Sequence, residues 1–234
     1  MNRLSHIVEP QRLLLTWQPA DEQAATRTRR VVGEVFKQAD GSVVFRYLKG
    51  SPDYQAALEA GFQGFPAFQI TDYEFNKGVI EPFLRRLPPR GREDFDEYLA
   101  QHRLPAPFPY SDFALLGYTG ARLPSDGFSL VPVFPNDAVP CDYLLEVAGV
   151  RHVVGTDIST INVGDPISFT VDSQNPVDRD ALSVVHNGRS IGYVNRALRS
   201  TFHDWLKGHR VHASVERQNG KPDRPLIFVR VSVE

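Results

Sequence analysis

Residues that could act as nucleophiles or metal ligands are scattered through the chain and form no recognisable catalytic motif. Cys141 is the single cysteine among 234 residues, which excludes an internal disulfide and a cysteine-cluster metal site. The sequence contains no glycine-x-serine-x-glycine elbow, and His203, His209 and His212 lack the i, i+4 spacing of a helical metal pair. We therefore predict no catalytic residue, no metal site and no cofactor, and a small buried thiol at Cys141.

The charges are unevenly distributed along the second half of the chain. The formal net charge is −2, which argues against a strongly electrostatic nucleic-acid binder. The segment from Arg189 to Arg230, however, contains nine basic and three acidic residues. The segment from Cys141 to Gly188 contains two basic and seven acidic residues. One side of this half is therefore expected to be basic, although a solvated mixed surface is the simpler explanation of a charge run taken alone.

The first half is predicted to open as a small antiparallel sheet followed by helices. β-rich runs occupy 12–18, 29–38 and 42–48, and Asp40-Gly41 favours a tight hairpin between the last two. Proline-separated helical signals follow at 75–87, 93–102 and 111–118, and the proline-rich stretch 123–140 is interpreted as a linker. Two domains are predicted, with boundaries of 1–140 and 141–234.

The second half is predicted to contain five strands and one main helix. The strand-like runs lie at 167–172, 181–187, 189–194, 211–217 and 226–233, with hairpin signals at Asn187-Gly188 and Asn219-Gly220. Asn195 to Lys207 is the helix, because Asn195 can cap it and Gly208 can end it. The fold class is therefore α+β, with two small β-rich modules, the second a small barrel.

Three motifs in the second half resemble those of HIRAN domains, in the family's order over Tyr143 to Val233. GVRHVVG (149–155) resembles the opening arginine-aromatic loop, NPVDRDALSV (175–184) the asparagine-proline-x-aspartate turn, and GRSIGYV (188–194) the hairpin ending in a glycine-aromatic pair. The resemblance implies an OB-like β-barrel with one main helix that captures the 3′-hydroxyl end of single-stranded DNA.

The resemblance also assigns roles to individual side chains. Asp178 would accept a hydrogen bond from a terminal hydroxyl and repel a terminal phosphate. Arg151 and Arg196 would neutralise the last phosphates, and the rings of His152 and Tyr193 would stack on bases. The predicted nucleic-acid-binding residues are Arg151, His152, Asn175, Asp178, Tyr193 and Arg196.

Structural roles are the alternative for three of these residues. Asn175 and Asp178 can fix a turn through local hydrogen bonds, and Tyr193 can pack on the sheet. The sequence also departs from the DNA-binding pattern, because Val177 and His152 stand where the DNA-binding relative in the HIRAN family has aromatic residues.

The first half resembles, more diffusely, the N-terminal subdomain of HipA-type kinases and the related HipS-type antitoxins. The likeness covers roughly Leu13 to Val133 and includes LLTWQ, GEVFKQADGSVVFRY (33–47), GVIEPFLRRLP (78–88) and FALLGYTGARLPSDGFSLVP (113–132). A kinase core is missing, since no glycine-rich phosphate loop or histidine-arginine-aspartate element occurs. The resemblance implies a module at 1–140 that docks a separate HipA-like kinase.

Three functions follow as hypotheses. The first is a non-catalytic accessory protein of a HipA-like toxin–antitoxin system, whose HIRAN module binds single-stranded DNA. The second is a HipS-like antitoxin that acts by protein–protein interaction alone, which Val177 and the near-neutral charge favour. The third is a DNA-end nuclease or phosphohydrolase, for which Asp172, Asp178 and Asp180 are the acids able to bind Mg²⁺.

The sequence also bears on cellular location. The N-terminus lacks a long apolar core, and no run approaches the about 20 apolar residues of a spanning helix. We therefore predict a cytoplasmic protein without a membrane partner.

Overall fold

The computed structural model divides the chain into two units, one of Glu9–Phe134 and the other of Met1–Val8 together with Pro135–Glu234. It describes residues 3–19, 28–123, 126–153, 158–221 and 224–234, and not the side chains of residues 152, 158, 221 and 224. Both units mix a few helices with sheets, as the α+β prediction requires. The predicted domains 1–140 and 141–234 stay a prediction, and the units differ from that single cut because residues 1–8 belong with the C-terminal part.

A four-stranded antiparallel sheet organises the first unit. Its strands lie in the order β3-β2-β1-β4. The turn at Asp40-Gly41 joins β2 to β3 as predicted, with Gly41 at φ +84°. The strands are β1 (Arg12–Trp17), β2 (Arg30–Lys37), β3 (Val43–Tyr47) and β4 (Ser129–Val133).

Four short helices and a cluster of buried aromatic side chains complete this unit. Phe62, Phe65 and Phe68 are each about 95% buried, so the irregular segment that follows the first helix supplies core rather than surface. The helical signal of 75–87 forms a helix over Ile80–Leu84 alone. The helices are α1 (Pro52–Glu59), α2 (Ile80–Leu84), α3 (Phe95–Gln101) and α4 (Asp112–Thr119).

The predicted linker 123–140 is wrong over its central part, because β4 lies within it. β4 pairs with β1 in register from Arg12↔Val133 to Thr16↔Ser129. Its other side has no partner strand among the described residues, so Pro132, which has no amide donor, is tolerated there. A proline-rich stretch can thus still be an edge strand.

Two three-stranded antiparallel sheets form most of the second unit. One has the order β5-β10-β9 and the other β6-β7-β8. The helix packs on the second sheet through Phe169 and Phe202, whose ring centroids are 5.1 Å apart. The elements are β5 (Cys141–Glu146), β6 (Ser168–Val171), β7 (Leu182–His186), β8 (Arg189–Tyr193), α5 (Arg199–Gly208), β9 (Val211–Lys221) and β10 (Arg224–Val233).

The two sheets meet at both edges. Ala148 bridges Tyr193 on one side, and Pro166 bridges Ser214 on the other. Continuous ladders are not formed at either junction in the described part of the chain, so the predicted OB-like barrel is not confirmed as a closed sheet.

Turn positions in this unit agree with the sequence at one hairpin and differ at the other. Asn187 and Gly188, both at positive φ, join β7 to β8 as predicted. Asn219 and Gly220 instead lie within β9, paired with Leu226 and Pro225. The β9–β10 connection therefore lies three residues later in the chain than the dipeptide signal indicated, and its residues 222–223 lie outside the described residues.

The N-terminal residues are attached to the second unit through a buried carboxylate. Asp142, 2% exposed, accepts hydrogen bonds from the backbone amides of Ser5 at 2.7 Å and His6 at 3.1 Å. Its other oxygen accepts from the Ser232 hydroxyl at 2.6 Å, and an Arg230 nitrogen lies 3.3 Å from the first. One side chain thus binds both ends of the unit.

Candidate nucleic-acid interface

The loop of residues 172–181, between β6 and β7, is held in one conformation by local hydrogen bonds. The Asn175 Oδ1 accepts from the backbone amides of Val177 at 3.0 Å and Asp178 at 3.1 Å, which is the geometry of an Asx turn. The Asp172 amide donates to the Ala181 carbonyl at 2.8 Å and closes the loop. The turn role weighed for Asn175 is therefore present, and it leaves the Val177 side chain 71% exposed.

Asp178 points from this loop toward the start of the helical segment. One of its oxygens binds the Arg199 guanidinium and lies 3.6 Å from the Arg196 guanidinium. The other oxygen accepts from the Asp180 amide at 3.1 Å. The Asp178 side chain is 14% exposed, so its charge is largely shielded from water and balanced by two arginines.

Asn195 caps the segment that carries those two arginines. Its Oδ1 accepts from the Ala197 amide at 3.0 Å and caps a 3₁₀ turn, Arg196–Leu198, that runs directly into α5. The cap was predicted, although the α-helix itself begins four residues later. Leu198, Phe202 and Trp205 are buried, while Leu206 is 38% exposed. Burial of that apolar face leaves Arg196 and Arg199 on another side of the segment.

Tyr193, the last residue of β8, lies against the other end of the loop. Its hydroxyl donates to Asp172 Oδ2 at 2.9 Å. Burial raises the pKa of Tyr193, and the hydrogen bond and charge of Asp172 raise it further, while a hydrogen bond with Asn175 lowers it. The phenol thus remains a neutral donor at physiological pH, in a residue that is partly exposed.

The opening loop passes beside Tyr193. Ala148 and Tyr193 exchange two backbone hydrogen bonds of 2.8 Å, and the 3₁₀ turn Val150–His152 follows directly. Arg151 is exposed on that turn. The side chain of His152 lies outside the described residues.

The structure therefore brings together four of the six predicted residues: Asn175, Asp178, Tyr193 and Arg196. Arg151 lies on the turn that follows the backbone pairing of Ala148 with Tyr193. Sequence reasoning missed Arg199. The signal available was its i, i+3 spacing from Arg196, which places the two on one helical face.

The three aspartates proposed for Mg²⁺ have separate partners. Asp172 binds Tyr193, Asp178 binds arginines, and Asp180 is exposed. Across the described ranges, no group of three or more histidine, cysteine or acidic side chains is arranged to hold a metal ion. The geometry therefore gives the nuclease hypothesis no support.

The C-terminal unit matches a known family of domains. The family model for the HIRAN domain matches residues 142–234, so this part of the chain is a HIRAN domain, as predicted. The match gives no support to the predicted HipA N-terminal-subdomain or HipS-like module at 1–140, or to a HipA-like kinase partner.

Two solved structures are similar over 39% of this chain. The HIRAN domain of human HLTF is 20% identical, with 74% of that chain covered and a TM-score of 0.31. A protein from Lactobacillus plantarum is 21% identical, with 92% of that chain covered and a TM-score of 0.29. No curated protein matches the chain.

One finding bears on membranes. Among the helices of the described residues, none has the length and apolar character needed to cross a bilayer. The cytoplasmic location stays a prediction.

Proposed function

We propose that the HIRAN domain binds single-stranded DNA and holds its 3′-hydroxyl end at the loop of residues 172–181. The observation that carries the proposal is the position of Asp178. Its carboxylate is fixed by Arg196 and Arg199, on the loop that Tyr193 also contacts. An acceptor, cations and an aromatic ring thus converge, as recognition of a DNA end requires.

Asp178 supplies the end selectivity in this proposal. A terminal hydroxyl donates a hydrogen bond, whereas a terminal phosphate is an anion that a carboxylate repels. A carboxylate has about four acceptor positions, and the described contacts with Arg199, Arg196 and the Asp180 amide use at most three. Capacity therefore remains for one hydroxyl.

The neighbouring side chains supply the remaining contacts. Arg196, 25% exposed, and Arg151, exposed on the adjoining turn, would neutralise terminal phosphates. The partly exposed ring of Tyr193 is a surface for one unstacked base. His152 belongs to the proposal from its sequence position alone.

The test is fluorescence anisotropy with labelled single-stranded DNA that ends in a 3′-hydroxyl or a 3′-phosphate, at two salt concentrations. We expect tighter binding to the hydroxyl end, and loss of that preference in Asp178→Ala. Asp180→Ala is the matched control, because it removes an exposed charge of the same sign two residues away and keeps the amide that Asp178 accepts from. Equal affinity for both ends in the unaltered protein would contradict end capture.

An interaction scaffold without DNA binding is the second candidate. The specific observation in its favour is Val177, whose side chain is 71% exposed at the tip of the turn and offers no ring for stacking. Absence of binding to either oligonucleotide, in a protein whose unfolding is cooperative, would favour this candidate.

The proposed role is binding without catalysis. A toxin–antitoxin context and a HipA-like kinase for residues 1–140 remain hypotheses from the sequence. They are tested by co-purification with a HipA-like kinase encoded beside this chain, where such a neighbour exists; a neighbour that does not bind would contradict them.

A further inference from the structure

We infer that Arg199 is an additional DNA-phosphate-binding residue, and that Asp178 positions Arg199 and Arg196 as a pair for this contact. The inference rests on the proposed function and deepens it. Neither the motif comparison nor the predicted site included Arg199.

The geometry places both arginines around one oxygen. Arg199 binds the Asp178 Oδ2, and the Arg196 Nη2 lies 3.6 Å from the same atom. The residues are three apart across the junction of the 3₁₀ turn and α5, so their side chains leave the segment on neighbouring positions. Their exposed fractions, 25% for Arg196 and 34% for Arg199, exceed the 14% of Asp178.

This arrangement leaves binding capacity for an anion. Two guanidinium groups against one carboxylate give the cluster a formal charge of +1. The Arg199 guanidinium carries five N–H donors, and among the described contacts one of its nitrogens donates to Asp178. The other donors of Arg199 are not bonded to Asp178, and the planar fork of this guanidinium matches the oxygens of a phosphodiester.

The position of Arg199 also argues for a role in binding. It is the first residue of α5, at the helix end where the backbone dipole disfavours a positive side chain. Asp178 compensates this cost in the free protein. A DNA phosphate would compensate it more fully, because it adds a second negative charge beside the same guanidinium.

The other charged side chains of the loop 172–181 do not supply a second negative charge to Arg199. Asp172 is engaged with Tyr193, the Asp180 side chain is exposed, and Arg179 is a further exposed cation. A ligand anion is thus a partner that the exposed part of Arg199 fits.

The test compares Arg199→Gln with the unaltered protein, measuring the dissociation constant for a hydroxyl-ended oligonucleotide across a series of salt concentrations. Loss of one phosphate contact should weaken binding about tenfold and lower the slope of log affinity against log salt by about 0.7. The preference for 3′-hydroxyl over 3′-phosphate should persist, because Asp178 remains. Arg199→Lys should restore the slope, because lysine keeps the charge.

Arg189→Gln is the matched control, because Arg189 is exposed at the far end of β8 from Tyr193. It should leave the slope unchanged. Thermal unfolding establishes that each variant is folded; if Arg199→Gln is not, Arg199→Met, which keeps the aliphatic stem, replaces it.

The outcomes separate the inference from the proposed function. Hydroxyl-selective binding with an unchanged salt slope in the folded Arg199 variant would overturn the role of Arg199 and leave end capture intact. Failure of the unaltered protein to bind single-stranded DNA would overturn both.

Discussion

At the scale of single residues, different side chains of the turn 175–178 form the turn and bind the arginines. Asn175 folds the turn through its side chain, and Asp178 reaches the arginines. The Val177 side chain has neither role. Its backbone amide donates to Asn175, and the side chain itself is 71% exposed. Substitution at Val177 should therefore change binding without changing the turn.

We expect Val177→Tyr to strengthen single-stranded DNA binding, because an exposed ring on the turn can stack on a base. The gain should be up to about 1–3 kcal/mol, measured by the same anisotropy titration. Val163→Tyr is the control, since Val163 is 67% exposed in another loop of this unit. Equal effects of both substitutions would mean that the added ring acts nonspecifically.

The turn was predictable from the sequence, whereas the pairing of its aspartate with Arg199 was not. The Asx turn follows from Asn175 and its neighbours, since its hydrogen bonds span two or three residues. The pairing of Asp178 with Arg199 joins residues 21 positions apart and depends on how α5 packs on the sheet. No local pattern encodes such a contact.

At the scale of elements, Gly192 permits the junction between the two sheets of the HIRAN domain. A Cβ at this position would lie 2.5 Å from Val147 Cγ1 and 2.6 Å from the Ala148 carbonyl oxygen, and its φ is +146°. Only glycine fits this approach and this backbone conformation. The next residue, Tyr193, forms the bridge to Ala148.

Gly192→Ala should lower the free energy of unfolding by roughly 1–3 kcal/mol and weaken DNA binding, because Tyr193 must shift with the strand. Chemical denaturation measures the first effect and anisotropy the second. Gly208→Ala, at the end of α5 with no atom within 4 Å of the added Cβ, should change neither quantity by as much. An unchanged free energy of unfolding in Gly192→Ala would mean that the backbone at the junction shifts to accept the methyl group without loss of stability.

Elements were predicted best where local patterns decide them. The turns at Asp40-Gly41 and Asn187-Gly188 and the cap at Asn195 formed as expected. β4 was missed because Pro132 and the prolines on either side of the strand are typical of a linker. Only pairing with β1, over 100 residues away in sequence, makes it a strand.

At the scale of the whole molecule, Asp142 joins distant parts of the second unit. Burial is the largest influence and raises the pKa of Asp142, but hydrogen bonds from Ser232, Ser5 and His6, with the charge of Arg230, bring it below its usual value of 3.8. The charged form is therefore stabilised on folding. Its contribution is complete above the unfolded pKa and declines as the pH falls through the folded pKa.

Asp142→Asn should lower the free energy of unfolding by about 2 kcal/mol at about pH 7, since several hydrogen bonds lose a charged acceptor. The difference from the unaltered protein should shrink as the pH falls below 3.8, measured by urea denaturation across the acid range. Asp137→Asn, at an exposed position, is the control. A difference that stays constant in acid would exclude the carboxylate charge as its cause.

The shared attachment of Ser5 and Ser232 to Asp142 has a consequence for how the chain can be rearranged. Both residues lie within hydrogen-bond distance of one carboxylate, so the two ends of the second unit are neighbours, and residues 9–134 are an insertion between its segments. A short glycine linker from residue 234 to residue 3 would give a circular permutant, starting at residue 135 and ending at residue 8, that keeps every contact of Asp142. A fragment cut at residue 142, where the family match begins, would instead retain the carboxylate and lose two of its donors.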